Sequence, residues 1–249
     1  MEGSDTPMSP KSLCAVVTGA AGGLGAATAR VVGAKGWRLV LVDQSPDGLA
    51  RVTQSLSDGA DPGAVHSIVG DVTDEEFCNT LPHRVLATGW QLTGLVNSAG
   101  VISRTGLGQT TREEWNRVMA VNVTAVFSIV QALVPLLREA KGASVVNISS
   151  VAGMRATPGM PAYNTSKAAL LGLTRSLAMD LNTWGIRVNA VCPASIDTPM
   201  SRSATAGLSA EDAADYESRH FHRQLMNRYG TPEEVAHLVA FCCRGGQAS

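Results

Sequence analysis

The stretch Leu13-Cys14-Ala15-Val16-Val17-Thr18-Gly19-Ala20-Ala21-Gly22-Gly23-Leu24-Gly25 decides the fold. Leu13 to Thr18 is an apolar and β-branched run of the length of a buried strand. A glycine-rich turn follows, and residues 24–34 then carry the period of a helix. Strand, glycine turn and helix together bring a backbone close to a phosphate. Glycines remove the Cβ, and the helix N-terminus adds unpaired N–H groups and a partial positive charge. The chain has 25 glycines, so the string alone says little. Its position between a strand and a helix gives it meaning.

Outward from this unit the same alternation continues. Strands are expected at Arg38–Asp43, Val65–Val69, residues 95–97, Ser144–Ile148 and Arg187–Val191. Helices are expected over residues 47–57, 74–88, 111–138 and 162–183. In the 111–138 helix Val118, Val121, Val126, Ile129, Val130 and Leu133 face inward. Thr231-Pro232-Glu233-Glu234 opens a last helix, with Thr231 as cap and Glu234 completing a capping box. Near-continuous apolar strands alternating with helices imply an α/β fold. The expectation is a single-domain, doubly wound parallel sheet of Rossmann type, with helices on both faces. Residues 1–12 read as a disordered tail, and 13–249 as the one Rossmann-type domain. The polar stretch 194–228 is long for a loop and reads as a substrate lid near 195–228.

Composition limits the functions. The 249 residues are 45% apolar and 16% charged, enough for a large core. Lys+Arg is 20 against Asp+Glu 21, a net charge of -1, which argues against nucleic-acid and anionic-membrane partners. No run of consecutive apolar residues approaches the roughly 18 that span a bilayer. The start lacks the apolar segment of a secretory signal. The five cysteines (Cys14, Cys78, Cys192, Cys242, Cys243) are an odd number without disulfide or zinc spacing. Reduced thiols in a cytoplasmic protein are expected, Cys14 and Cys192 being buried and no metal being bound.

Asp43 ends the second strand, 24 residues after Gly19. That is near the spacing of about 20 at which an acid binds the adenosine ribose hydroxyls of NAD. A carboxylate there repels the 2′-phosphate of NADP, and no Arg or Lys sits in the turn or directly after Asp43. NAD is therefore the expected cofactor.

Tyr163 and Lys167 are four apart at the start of a helix and share a face. With three tyrosines and four lysines, Tyr-x-x-x-Lys arises by chance in about one such sequence in twenty. A free phenol is a poor base at neutral pH, and a nearby cation lowers its pKa. Such a pair suits proton exchange with an alcohol oxygen. Ser150, thirteen residues earlier, can hold that oxygen near Tyr163.

Taken together, these residues resemble the short-chain dehydrogenases/reductases of the NAD(P)-dependent type, over about residues 13 to 245. Thr18-Gly19-x-x-x-Gly23-Leu24-Gly25 resembles the family's coenzyme turn. Gly70-Asp71-Val72 resembles the segment whose Asp meets the adenine. Asn97-Ser98-Ala99-Gly100 is similar to the Asn-Asn-Ala-Gly segment ending the fourth strand. Asn122, Ser150, Tyr163 and Lys167 fall on the catalytic positions. Asn189 and the run from Pro193 to Thr198 resemble the border of the nicotinamide. The resemblance implies Tyr163 as general acid/base and Lys167 as the group that lowers its pKa and bonds the nicotinamide ribose. It implies Ser150 as the group that polarises the substrate oxygen, and Asn122 as holder of a water relaying protons towards Lys167. Ile196 and Thr198 would meet the carboxamide. Gly19, Gly23, Leu24, Gly25, Asp43, Asp71, Val72, Asn97, Ala99, Gly100 and Pro193 complete the expected cofactor set. The expected partner is a small alcohol or ketone.

The chain departs from the family pattern at three places. Ser98 replaces an Asn, with little loss expected. Ala194 replaces a Gly, a strain only where φ must be positive. The seventh strand that usually follows the last helix is expected to be missing. Arg104 and Arg155 read as surface residues able to meet a carboxylate, and His220 and His222 as lid polar groups. The leading reading is an NAD-dependent dehydrogenase of secondary alcohols. Alternatives are a 3-oxoacyl-thioester-type carbonyl reductase and a non-catalytic cofactor-binding protein. By resemblance the chain forms a homodimer or homotetramer, pairing through the helices around Val118 and Leu173.

Overall fold

Six parallel strands form one sheet in the order β3-β2-β1-β4-β5-β6 in the computed structural model, which describes residues 13–57, 63–203, 205, 209, 211 and 226–244. They are β1 (Leu13–Thr18), β2 (Arg38–Asp43), β3 (Val65–Val69), β4 (Gln91–Asn97), β5 (Ser144–Ile148) and β6 (Arg187–Val191). The longer helices are α1 (Gly23–Gly33), α2 (Pro46–Ser57), α3 (Glu75–Leu86), α4 (Arg112–Met119), α5 (Ala125–Arg138) and α6 (Pro161–Leu181). A four-residue helix, α7 (Pro199–Arg202), precedes the last helix, α8 (Pro232–Cys243).

Alternation along the strands makes two cores. Cys14, Val16, Val40 and Val42 join Phe77, Leu81, Ile129, Leu133 and Leu170 on one face. Ala15, Val17, Leu39 and Leu41 join Ala26, Ala29, Leu49, Val235 and Val239 on the other. The doubly wound parallel sheet with helices on both faces is thus the observed fold. β1 lies between β2 and β4, so the chain changes winding direction at the carboxyl end of β1, where such sheets open a crevice.

Several elements differ from the sequence reading. β4 begins at Gln91, four residues before the expected Leu95: Gln91 and Leu92 pair with Leu13 and Cys14, and the register shifts before Gly94 pairs with Ala15. The Thr93 hydroxyl donates to the Cys14 carbonyl at 3.1 Å across this irregularity. The expected 111–138 helix runs from Arg112 to Arg138 but passes through a π turn at Ala120–Thr124. Over its most apolar window, mean hydropathy is 1.9, enough by length and composition to cross a membrane. Its apolar stripe of Val118, Val126, Ile129, Val130 and Leu133 is instead buried on the sheet, while Val121 is only half-buried. Thr231 caps α8 as read: its hydroxyl accepts from Glu234 N at 3.2 Å, and Glu234 accepts from Thr231 N at 2.7 Å. Cys14 is buried and its thiol is pushed up to about 12 by desolvation, whereas Cys192 is only half-buried at the end of β6. Ala194 is unstrained, since Asn227 is the one described non-glycine residue at positive φ. Residues 1–12, most of 204–225 including His220 and His222, and 245–249 lie outside the described residues.

A buried polar chain fastens α6 to the centre of the sheet. Asn97 Nδ2 donates to Asn147 Oδ1 at 2.8 Å, and Asn147 Nδ2 donates to Thr174 Oγ1 at 2.9 Å. Thr174 in turn donates to the Leu170 carbonyl at 2.7 Å. Asn147 is fully buried, so losing it strands polar atoms on two neighbours. Asn147→Ala is expected to cost about 2–4 kcal/mol in a urea melt, one to two unsatisfied groups' worth. A loss below about 1 kcal/mol in that melt means the chain does not fasten α6.

Candidate active site

The carboxyl ends of β1, β2, β4 and β5 open into a cavity of about 1010 Å³. One end is built by the glycine turn. Thr18 is buried, and its hydroxyl accepts from both Ser98 N and Ala99 N at 3.2 Å. This draws the Ala99 backbone against Gly19, where a Cβ would sit 2.7 Å from Ala99 Cα, and φ is +66°. Both facts demand glycine. Gly25 serves another close approach: a Cβ there would lie 2.1 Å from the Gly19 carbonyl oxygen. Gly22 caps α1 without any side-chain acceptor, and no acid lies in the first turn. Gly22, Gly23 and Leu24 line the cavity, so the bare N-terminus of α1 points a positive dipole end into it. A pyrophosphate fits this cradle.

Asp43 stands beside it. Its Oδ2 accepts from Ala21 N and its Oδ1 from Ser45 N, each at 3.0 Å. Each carboxylate oxygen keeps acceptor capacity for a hydroxyl in the cavity. Asp71 and Val72 extend the same wall beyond β3. Asp71 Oδ1 accepts from Thr73 N and Thr73 Oγ1 at 2.8 Å.

The other end is built around β5 and α6. Tyr163, Ser166, Lys167, Leu170, Thr174, Leu177 and Leu181 form the buried stripe of α6, so the stripe that anchors the helix also carries Tyr163 and Lys167. Ser149 Oγ donates to the Lys167 carbonyl at 2.9 Å. Gly153 presses on the same point, where a Cβ would meet Lys167 C at 2.6 Å. The turn Val151–Gly153, whose first N–H groups Ser150 caps, is thereby fixed against α6. Ser150 stands close enough to Tyr163 for its hydroxyl to favour the ionised phenol.

Electrostatics differ from the simplest expectation. Burial raises the Tyr163 phenol above its ordinary value, opposed by the Ser150 hydrogen bond and the Arg104 charge. Lys167 is also buried, and desolvation brings it down to about 8. Its Nζ donates to the Ile148 carbonyl at 2.9 Å and stands 5.8 Å from the Tyr163 ring centroid. The ammonium is near the ring and bonded to the backbone, and the phenol is raised by burial where a lowering by Lys167 was expected.

Most expected site residues converge here. Gly19, Gly23, Leu24, Asp43, Asp71, Val72, Ala99, Gly100, Ser150, Tyr163, Lys167, Pro193, Ile196 and Thr198 all line the cavity. Gly25, Asn97 and Asn122 do not. Gly25 is behind the turn and Asn97 belongs to the buried polar chain. Asn122 is fully buried in the π turn. Its Oδ1 accepts from Val101 N at 2.8 Å, and its Nδ2 donates to Val101 O at 2.9 Å and Ser166 Oγ at 3.0 Å. Arg104 lines the cavity and is half-buried, in contrast to the surface position expected, while Arg155 is exposed and off the wall. Sequence reading also missed Thr18 as a clamp, and Ser45, Met160 and Tyr229 as wall residues. Thr18 ends an apolar strand directly before the glycine turn, a position that could have drawn attention; the other three carry no motif.

Comparison with known proteins agrees with this geometry. Residues 13–209 match the family described as short chain dehydrogenase. The chain is 34% identical over 226 residues to a 3-oxoacyl-(acyl-carrier-protein) reductase of Thermotoga maritima, covering 91% of this chain and 88% of that one. It is 32% identical to cyclopentanol dehydrogenase of Comamonas testosteroni, covering 91% and 87%. The ligand-free aldohexose dehydrogenase of Thermoplasma acidophilum superposes with a TM-score of 0.81 at 31% identity, over 94% of this chain and 88% of that one. Parallel sheet, crevice and similarity across nine-tenths of the chain converge: this protein belongs to the short-chain dehydrogenase family of oxidoreductases.

Proposed function

We propose that the protein is an NAD-dependent dehydrogenase that interconverts a secondary alcohol and a ketone. The observation that carries this reading is one cavity with a phosphate cradle and Asp43 at one end, and Ser150, Tyr163 and Lys167 at the other. The bare α1 terminus with Gly22 and Gly23 would hold the pyrophosphate, Asp43 the adenosine ribose hydroxyls, and Ile196 and Thr198 the carboxamide. When bound, NAD supplies the acceptor for the hydride that leaves the alcohol carbon; alcohol and NAD⁺ give ketone, NADH and a proton.

The residues of the chain handle the proton. Ser150 donates a hydrogen bond to the substrate oxygen and orients it against the Tyr163 hydroxyl. Tyr163 takes the alcohol proton in oxidation and returns it in reduction. Its raised pKa keeps it protonated at neutral pH, which suits the acid role and makes oxidation speed up as pH rises. Lys167 adds positive charge that favours the phenolate and bonds the ribose. The Asn122 amide is engaged with Val101 and Ser166, so its side chain positions the wall.

The similarity to a 3-oxoacyl-(acyl-carrier-protein) reductase favours a second reading, carbonyl reduction of an acyl thioester. Asp43 weighs against it where the reductant is NADPH. For assembly we infer pairing through the outward faces of α4–α5 and α6. Val118 is fully buried and cannot take part; Phe127 (46% exposed) and Met179 (78%) are the exposed apolar residues there. The five cysteines are free, which fits a reducing cytoplasm.

Three measurements test the reading. Fluorescence titration is expected to show NADH bound at least tenfold more tightly than NADPH, a difference of about 1.4 kcal/mol or more. Asp43→Asn is expected to narrow that ratio, and equal binding of both cofactors by the wild type sinks the selector role. Tyr163→Phe should reduce turnover on the order of 10²–10⁴-fold while NADH binding stays nearly intact. Undiminished turnover removes Tyr163 from the chemistry.

The third concerns Lys167. Its folded pKa of about 8 lies below the ordinary lysine value, so between the two the unfolded chain binds more protons and stability rises with pH. Below that window the buried charge is a constant penalty. Lys167→Met is therefore expected to be inactive yet to gain melting temperature over wild type near pH 7, with the gain shrinking by pH 10. Cys14 and Cys243, both pushed up to about 12, titrate alike in both proteins and cancel in the difference. A difference that does not change with pH contradicts a titrating Lys167.

A further inference from the structure

The cavity is unevenly charged. Its acids, Asp43 and Asp71, stand at the carboxyl ends of β2 and β3, beside the phosphate cradle. Its bases are Arg104, Arg117 and Lys167, of which Lys167 and Arg104 stand near Tyr163 at the other end. Arg117 is held by Glu114, Nε to Oε2 at 2.7 Å and Nη2 to Oε1 at 2.8 Å. Lys167 is bonded to the Ile148 carbonyl. Arg104 has no carboxylate partner among the described residues. Its Nη1 donates to Ser203 Oγ at 3.2 Å and its Nη2 to the Met200 carbonyl at 3.0 Å, both uncharged acceptors. These bonds tie the loop after β4 to the α7 segment, and Val101, Ile102, Val151, Ala152, Met160 and Met200 line the same cavity.

A half-buried guanidinium among apolar side chains is stabilised by a counter-ion, and the described residues provide none. Guanidinium is also the group whose planar fork best fits a carboxylate. We propose that Arg104 anchors the carboxylate of the substrate, making the preferred substrates hydroxy acids and the matching oxo acids. This rests on the dehydrogenase reading and names its substrate class. The alcohol oxygen lies at Ser150 and Tyr163, the carboxylate lies at Arg104, and the apolar wall covers the carbons between them. The Arg104 charge is close enough to lower the Tyr163 phenol, consistent with both groups meeting one small molecule.

The test compares 2-hydroxybutyrate, 3-hydroxybutyrate and 4-hydroxypentanoate, each with its own amide. Two readouts are taken: kcat/KM for NAD⁺ reduction, and calorimetric binding to the protein in the presence of NADH, which needs no turnover. At least one acid is expected to exceed its amide tenfold or more in both. Arg104→Gln is expected to bring that acid-to-amide ratio near one, through KM, and Arg104→Lys to restore part of it. A wild-type ratio near one across the panel overturns the anchor. So does an Arg104→Gln variant that loses acid and amide equally, since that marks Arg104 as a brace for α7 alone. Preferential acid binding lost in Arg104→Gln, without turnover of any alcohol, upholds the anchor and overturns the dehydrogenase reading instead.

Discussion

The Thr18 hydroxyl holds the centre of the molecule together. By accepting from Ser98 N and Ala99 N, it fastens the end of β4 to the end of β1 where the winding reverses. The two backbones then come so close that Gly19 has no room for a Cβ. Everything in the cofactor half follows from that contact. The turn passes under Gly25, α1 starts without a cap, and Asp43 ties Ala21 into place from the neighbouring strand. A hydroxyl at position 18 is therefore a structural requirement, although it never faces the cavity.

The catalytic half is built by the opposite device, a polar group taken out of water. Lys167 sits on the stripe that an ordinary helix would fill with Leu, and Asn122 sits fully buried in a helix that abandons α geometry to receive it. Each is compensated by backbone: Ile148 for Lys167, Val101 for Asn122. Such sites are held at a cost to stability and kept in register by their surroundings. Ser149, Gly153 and the chain Asn97–Asn147–Thr174 supply the register here, fixing α6 against β5 at three levels.

Much of this was legible in the sequence because it depends on local chemistry. Five of the six strands have the boundaries read from their apolar runs, since strands buried on both faces leave little else to choose. Tyr163 and Lys167 were placed by helical spacing, and Thr231 and Glu234 by capping. What escaped depends on tertiary contact. β4 starts early because Gln91 and Leu92 pair with Leu13 and Cys14 ahead of an irregularity, which no period in residues 91–94 reveals. The π turn follows from burying Asn122 between Val101 and Ser166, 21 and 44 residues away. Asn97 looked like a cavity residue because it begins a cavity segment, yet strand alternation turns its side chain into the core and leaves Ser98 and Ala99 on the wall. Ala194 raised a concern that its backbone angle removes.

Arg104 shows most clearly where sequence reading stops. On the chain it is one arginine among sixteen, and composition assigns such a residue to the surface. Its meaning comes from α7, a helix hidden in a stretch that reads as irregular: the Met200 carbonyl and the hydroxyl of Ser203, just past its end, hold the guanidinium on the cavity wall. Once it is held there, the two ends of the cavity carry opposite charge. Under the proposed function the acidic end holds a diol and repels an extra phosphate. The basic end stabilises negative charge, whether a phenolate on Tyr163 or an anion on the substrate. A neutral alcohol would use only the acidic end and leave Arg104 with its two uncharged acceptors, the Met200 carbonyl and the Ser203 hydroxyl. An anionic substrate uses both, and so turns the least favourable group on the wall into the source of specificity.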